Sequence, residues 1–214
     1  MTHPVWPLFD LRITTPRLEL RYVDDELGTE LATLAAKGIH DPAFMPFSLP
    51  WTDAPSPELE RNAMQWYWRA RAAVSATHFH LELAAIIDGA VCGSISVGGD
   101  AFPILREGGT GSWLGREFQG RGIGTEIRRG ALHLLFAGLD AQRAHTLAFE
   151  DNAASLGVTR KLGYRETGEQ WKVRRGEPAR AIAFEMTRDH WEQHLRTDDI
   201  TIDGLTDALP LLGL

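Results

Sequence analysis

Gly120, Gly122 and Gly124 alternate with Arg121 and Ile123 directly after Trp113-Leu114-Gly115, which reads as the end of a strand. Glycine takes positive φ at no steric cost and adds no bulk, so the N–H groups from Gln119 to Thr125 can converge on one point. Helical spacing begins at once, with Ile123, Ile127, Ala131, Leu134, Leu135 and Gly138 on one face and Arg128, Arg129 and His133 mostly off it. Unpaired donors and the positive end of the helix dipole therefore meet at the glycines, which suits a phosphate or pyrophosphate. Arg121 can add a charge-assisted contact to the same group. The three glycines equally suit a plain helix entry that binds nothing. A P-loop is excluded because Thr125-Glu126 follows Gly124 where Lys-Ser/Thr is needed. A dinucleotide fingerprint is excluded because Thr125 stands where its third glycine belongs.

A second group lies downstream, Asp151-Asn152-Ala-Ala-Ser155 followed by Arg160-Lys161-Leu162-Gly163-Tyr164. Asn152 can cap a short helix that Gly163 closes, and Ser155 is either a surface serine or a hydroxyl donor. Glu82 sits mid-strand among apolar neighbours. It either faces outward or is a buried carboxylate whose raised pKa suits it to general-base work. His145 and Glu150 are further candidates for that task. His78 with His80, and His190 with His194, read as surface pairs, since neither has a third metal ligand at a recognisable spacing. Cys92 reads as a small buried strand residue.

These residues need a scaffold, and the chain supplies alternating patterns for one. Leu18, Leu20 and Tyr22 alternate with charges as in a half-buried strand after Pro16, and Asp24 or Asp25 caps a helix that Gly38 ends. Residues 39–57 hold five prolines together with Phe44, Met45, Phe47 and Trp51, a structured loop that either packs on the core or lines a pocket. A second helix runs from Ser56 or Pro57 to about Ser75. Strands at 78–87 and 90–97 meet at Asp88-Gly89, a strong hairpin signal. A loop with Pro103 leads to the strand before the glycines. Then come a strand at 144–150, the Asn152 helix, and strands at 164–168 and 181–186 flanking a basic stretch, Lys172 to Arg180. That stretch is either a solvated hairpin or a clamp for an acidic group. The last helix starts near Asp189. Early hairpins and one late crossover imply a mixed sheet with helices on both faces.

Composition narrows the partners. The chain has 214 residues, 43% apolar and 24% charged, enough for one domain with a sizeable core. A net charge of -7 argues against a general nucleic-acid binder. The single cysteine excludes an intrachain disulfide and fits a reducing compartment. With no secretory leader and no run of 18 apolar residues, the expected location is cytoplasmic, away from membranes.

Gln119-x-x-Gly122-x-Gly124 resembles the Q/R-x-x-G-x-G/A segment of the GCN5-related N-acetyltransferase (GNAT) superfamily. The downstream group resembles the N-x-x-S…K-x-G-F/Y segment of its ribosomal-protein N-terminal (RimJ/RimL-like) branch. Two ordered motifs at this separation are more specific than either alone, and the resemblance spans about residues 11–196. It implies an α/β (α+β) fold with a central mixed, mostly antiparallel, splayed sheet, and acyl transfer from a coenzyme A thioester to an amine without a covalent enzyme intermediate. Pyrophosphate would lie on Gln119, Gly120, Arg121, Gly122, Ile123, Gly124 and Thr125, and pantetheine between the strand at Ser112–Gly115, including Trp113 and Leu114, and the strand at Leu147–Glu150. Asn152 would bind pantetheine, the Leu114 amide would hold the oxyanion, Ser155 would protonate the thiolate, and Glu82 would be the base. Some relatives use a tyrosine deeper in that helix, where this chain has Val158 and Thr159. Acetyl-CoA is the family's usual donor. The Trp-Pro-Leu-Phe-Asp-Leu-Arg start and the Ser-Trp-Leu-Gly strand also resemble an actinobacterial subgroup that accepts succinyl-CoA. No metal is implied. Residues 1–196 would form the domain, and 197–214 a tail that packs on it or bridges a homodimer. The contrasting reading is a non-catalytic acyl-CoA-binding or sensing module. A Rossmann domain is disfavoured by the Asp88-Gly89 hairpin.

Overall fold

The computed structural model describes residues 3–214. Strands β1 (Arg12–Thr14) and β2 (Leu18–Tyr22) pair antiparallel, and β2 buries Leu18, Leu20 and Tyr22 as its alternation requires. The three residues of β1 are too few to show a period, so the sequence gives no separate sign of it. Helix α1 (Asp25–Ala36) is capped by Asp24, whose Oδ1 accepts from the Leu27 N–H at 2.8 Å. Helix α2 (Glu58–Ala72) follows the proline-rich loop. β3 (His78–Ile87) and β4 (Ala90–Asp100) form the hairpin signalled by Asp88-Gly89, both of whose φ angles are positive, at 50° and 77°.

A short helix α3 (Phe102–Leu105) replaces the loop expected around Pro103, and Phe102 is fully buried against Phe79. Next come β5 (Glu107–Leu114), α4 (Ile123–His133, continued by a π-helical turn to Gly138), β6 (Arg143–Phe149) and α5 (Ala153–Lys161). β7 (Arg165–Arg174) and β8 (Glu177–Thr187) are longer than the alternation suggests, because pairing runs through the basic stretch to a turn at Arg175-Gly176. Salt bridges from Arg174 to Asp151 and from Arg180 to Glu150 and Glu169 offset the clustered charge there. α6 (Arg188–His194) and β9 (Thr201–Asp203) complete the elements, with a 3-10 turn at Thr206–Leu212.

The sheet order is β7-β8-β6-β5-β4-β3-β2-β1-β9, antiparallel at every junction except β5 with β6. α4 covers one face through Ile123, Ile127 and Ala131 against Leu20, Leu83 and Ile95. α1 and α2 cover the other through Leu27, Leu31, Ala63 and Tyr67 against Ala84. This is the mixed, mostly antiparallel sheet with helices on both faces that the pattern implied.

Residues 197–214 return to the sheet. β9 pairs with β1, and Leu205, Ala208 and Leu212 join the core. Gly138 makes the room, since a Cβ there would lie 2.8 Å from Leu205 and 3.0 Å from Ile202. Leu212→Ala, which opens a hole in this buried patch, should cost about 2–5 kcal/mol. Urea unfolding of the variant beside the parent chain measures it, and a loss below about 0.5 kcal/mol would mean that the segment is not part of the core.

Candidate active site

β5 and β6 part. They pair only at Glu107–Arg143, Gly108–Ala144 and Gly109–His145, whereas β5 stays paired with β4 to Leu114 and β6 with β8 to Phe149. Beyond Gly109 the facing edges of the two strands enclose a slot. The Gly115 N–H donates to the Cys92 carbonyl on β4 at 3.0 Å, so strand alternation turns the amides of Leu114 and Ser112 the other way, into the slot. Gly109 and Gly111 leave its β5 side open on the α1/α2 face. A Cβ on Gly111 would meet nothing within 4 Å, and one on Gly109 only the His145 carbonyl at 4.0 Å.

The glycine turn closes the wide end of the slot. Gly120 (φ 73°) and Gly122 (φ 78°) take the left-handed conformation, and Gly122 caps α4. The first turn of α4 leaves its N–H groups without intrahelical acceptors, and the first closing bond is from the Glu126 N–H to the Gly122 carbonyl at 3.2 Å. Ile123 turns its side chain into the core and offers only its backbone. At Gly124 a Cβ would already touch Leu114 at 3.6 Å and Val158 at 3.8 Å, so the turn, β5 and α5 meet there. Gln119 works differently from its expected place on the ligand. Its Nε2 donates to the carbonyls of Ile39 and Leu114 at 2.8 and 2.9 Å, tying β5 to the loop after α1.

Arg17 and Glu126 were not singled out in the sequence. Glu126 accepts from the Thr15 hydroxyl at 2.7 Å and from the Arg17 N–H at 2.9 Å, and ion-pairs with the Arg17 guanidinium at 2.5 Å. Burial pushes its carboxyl up, but these bonds outweigh burial and hold it below its ordinary 4.5. The pair pins the β1–β2 turn to the first turn of α4 and sets a second guanidinium beside the glycines. Its partners lie 109 and 111 residues apart in sequence, so no local pattern announces them.

On α5, Asn152 is a cap, its Oδ1 accepting from the Ser155 N–H at 3.1 Å. Ser155 is half-buried. One turn deeper, Thr159 is fully buried and its hydroxyl has no partner.

The α1/α2 face carries Glu82 and His80. Glu82 is 6% exposed, which corrects the outward-facing alternative. It accepts from Trp66 Nε1 at 3.0 Å and Ser96 Oγ at 3.3 Å and bonds His80 Nδ1 at 3.1 Å. Glu82 is paired with Ser96 and Ser96 with Gly111, so the carboxylate lies on the rung that crosses the open strip. The next rung runs His80, Gly98, Gly109, His145. The His80 ring lies over Gly98, where a Cβ would come within 2.3 Å of it. The bond to Glu82, working against burial, raises the His80 pKa. His80 thus belongs with Glu82 and not with a surface pair. His145 bonds Glu107 at 3.1 Å and Glu150 pairs with Arg180 at 2.8 Å, so both are engaged elsewhere. Burial pushes the Cys92 thiol up to about 11, away from nucleophile chemistry.

Residues 39–57 both pack down and wall this face. Met45 is buried, and Phe47, Trp51 and Trp113 follow one another at 5.5 and 5.9 Å between ring centroids. The basic hairpin reaches across to them. Arg175 pairs with Asp53 at 2.6 Å and donates to the Pro42 carbonyl at 2.9 Å, while Arg174 pairs with Asp151 and lies 4.4 Å over the Phe149 ring. The basic stretch is therefore a hairpin with an exposed turn, whose Arg174 and Arg175 are bonded to acids of other segments.

A split parallel pair with a left-handed glycine turn at its wide end is the arrangement that the resemblance to the N-acetyltransferase superfamily implies. The comparisons agree. The acetyltransferase (GNAT) domain family matches residues 17–165, and the chain belongs to that family. YdaF of Bacillus subtilis (strain 168), named as a ribosomal N-acetyltransferase, is 30% identical over 89 residues, which span 42% of this chain and 48% of that protein. Among solved structures, RimL, a ribosomal L7/L12 α-N-protein acetyltransferase in complex with coenzyme A, superposes with a TM-score of 0.65 at 20% identity, covering 82% of this chain and 97% of its own. A GCN5-related N-acetyltransferase from Brucella melitensis gives 0.67 at 19% identity, covering 85% and 80%. Those two likenesses establish the fold.

The Glu126 bonds set a pH dependence. A carboxyl held below its ordinary value stabilises the folded state above that value, and loses the contribution as pH falls through its depressed one. Glu126→Gln should therefore cost about 2 kcal/mol near neutrality and flatten the fall in stability below pH 4.5. Urea unfolding from pH 7 to pH 3 measures both, and parallel curves for the two proteins would remove Glu126 from this role.

Proposed function

We propose that this protein transfers an acyl group from a coenzyme A thioester to a primary amine by direct attack. The observation that supports it most is the alignment of the glycine turn with the slot, which puts an anion site at the wide end of a cleft lined by two free strand amides. The pyrophosphate lies on the amides of Gly120 to Thr125, with Arg121 and Arg17 at hand, and pantetheine runs between β5 and β6 past Trp113, Leu114 and Asn152. With the pyrophosphate at the wide end, the thioester lies deeper. The Ser112 amide is then the oxyanion donor, and the Leu114 amide, nearer the turn, serves pantetheine.

The acceptor enters from the α1/α2 face, over the open strip at Gly109 and Gly111, between the aromatic loop and the basic hairpin. An ammonium must lose a proton before it can attack. His80 Nε2 takes that proton, with Glu82 orienting the ring through Nδ1 and stabilising the imidazolium that forms. The C–N bond forms, the C–S bond breaks, and the second amine proton passes to the leaving thiolate through the Ser155 hydroxyl, which donates one proton and takes up the other. Acetyl and succinyl thioesters are the donors considered, and a protein amine is the acceptor that the names of the ribosomal acetyltransferase relatives suggest.

Calorimetric titration with CoA, acetyl-CoA and succinyl-CoA tests the donor site. Gly122→Asp, which sets a carboxylate at the anion position, should abolish binding. Failure of all three ligands to bind the parent protein would sink the reading, and binding without turnover of any amine would make it a binding module. His80→Gln and Glu82→Gln should each lower kcat by about 10²–10⁴-fold. Glu82→Gln should also shift the acidic limb of the kcat/KM profile to lower pH, because the bond to Glu82 raises the His80 pKa. An unshifted limb would remove His80 as the base.

A further inference from the structure

Trp66 is out of keeping with the rest of α2. The helix buries Leu59, Ala63, Tyr67 and Ala70, whereas the Trp66 side chain stands off that stripe and is 43% exposed. A large aromatic left nearly half in water forgoes much of the burial that favours it. Its one polar atom, by contrast, is engaged. Nε1 donates to Glu82 Oε1 at 3.0 Å, the same oxygen that meets His80 Nδ1 at 3.1 Å, while Ser96 Oγ donates to Oε2 at 3.3 Å. The indole and imidazole rings meet edge to face, 5.8 Å between centroids and 84° between planes. Among the described residues only Trp66, Ser96 and His80 hydrogen-bond Glu82.

Burial favours the neutral form of a carboxyl. Glu82 reaches that form only by placing a proton on an oxygen, and both oxygens already receive one. Ser96 can turn its hydroxyl over and accept instead, but an indole N–H is a donor only. Oε1 is therefore closed to a proton while Trp66 faces it, and the proton between Glu82 and His80 belongs to Nδ1. A donor on an ionised acceptor also answers part of its charge. Glu82 draws a second proton onto the His80 ring, and Trp66 weakens that pull. Other groups reach the pair from the neighbouring elements. Asp100, paired with His78, acts on His80 from β4, and His145, paired with Glu107, closes the rung beyond Gly109. Tyr67 and Tyr22 also lie near Glu82, and burial first and its charge after that push their hydroxyls up.

We propose that Trp66 is a positioning residue for the transfer, whose N–H keeps Glu82 ionised and so sets the pH at which His80 Nε2 is free to take the proton of the acceptor amine. The inference rests on the roles given to His80 and Glu82 above and adds the residue that tunes them. Without the indole N–H, the second proton of the pair can rest on Oε1 as well as on the ring. The carboxylate that remains after that proton leaves also has less of its charge answered. Both changes make the pair hold the proton to higher pH. Nε2 is then blocked near neutrality and freed only in more alkaline solution.

The test is the pH profile of kcat/KM for one amine acceptor, with CoA affinity of each variant measured by calorimetry. Trp66→Phe should move the acidic limb up by about one pH unit, the size expected when a hydrogen bond to a charged group is lost. On the limb kcat/KM should fall about tenfold, and on the alkaline plateau it should hardly change. The shift is opposite in sign to that of Glu82→Gln. Replacing Trp66 by β-(3-benzothienyl)alanine keeps the ring's shape and removes only the N–H, so it decides the matter where Trp66→Phe does not fold. In the double variant Trp66→Phe with Glu82→Gln the limb should stand where Glu82→Gln alone puts it, because the indole acts through the carboxylate. A limb that stays or moves down in the Trp66 variants overturns the inference, as does an equal loss at every pH or a double variant displaced from Glu82→Gln. An unshifted limb in Glu82→Gln instead removes the base, and absence of CoA binding in the parent protein removes the slot reading. This inference falls with either.

Discussion

The parting of β5 from β6 is the constraint on which the rest of the structure depends. Two parallel strands that separate expose backbone donors and acceptors, and a folded chain tolerates that only where water or a ligand can reach them. The outer partners prevent collapse. β4 holds β5 to its end and β8 holds β6 to its end, so neither strand can drift back toward the other without breaking its own ladder. Gln119 braces the end of β5 from outside, and Arg128 spans the gap at its base. The slot is kept open by what lies around it.

The sheet also separates two tasks. The glycine turn that suits an anion lies on the α4 side, where Glu126 locks the helix entry to the β1–β2 turn. The buried Glu82 and its partner His80 lie on the opposite face, where with Ser96 and Trp66 they form one network over a strip of glycines. Gly109 and Gly111 connect the faces, because a side chain there would fill the ground between the Glu82–His80 pair and the slot.

What could be read from the sequence was local. The Asp88-Gly89 hairpin, the Asn152 cap and the left-handed glycines at the entry of α4 each depend on a few adjacent residues, and the fold preserves them. Four features escaped because their meaning lies in distant partners. Arg128 looked peripheral because the stripe rule assumes one buried helix face, whereas α4 is covered by the sheet and by α5. His80 looked like half of a surface pair until β4 brought Gly98 beneath its ring. Arg17 has no meaning without Glu126. The ion pairs of Arg174 and Arg175 stayed hidden because Asp151 and Asp53 stand in other segments. Charged residues are the hardest to place from sequence, since burial, pairing and exposure leave the same letters.

The junction of β9 with β1 gives synthesis an order. Ile13 faces Ile202, so the edge of the sheet formed by some of the first residues made is completed only when residues 201–212 emerge. Contacts of such separation are slow to form, because a long loop must close before any of them is made. Until then Gly138 lacks Leu205 and Ile202, the core lacks Ala208 and Leu212, and the apolar surface they cover stays wet. A ribosome that stalls late in the message therefore releases a chain with its slot already encoded but its core unsealed, and such a chain is exposed to proteases before its fold is complete.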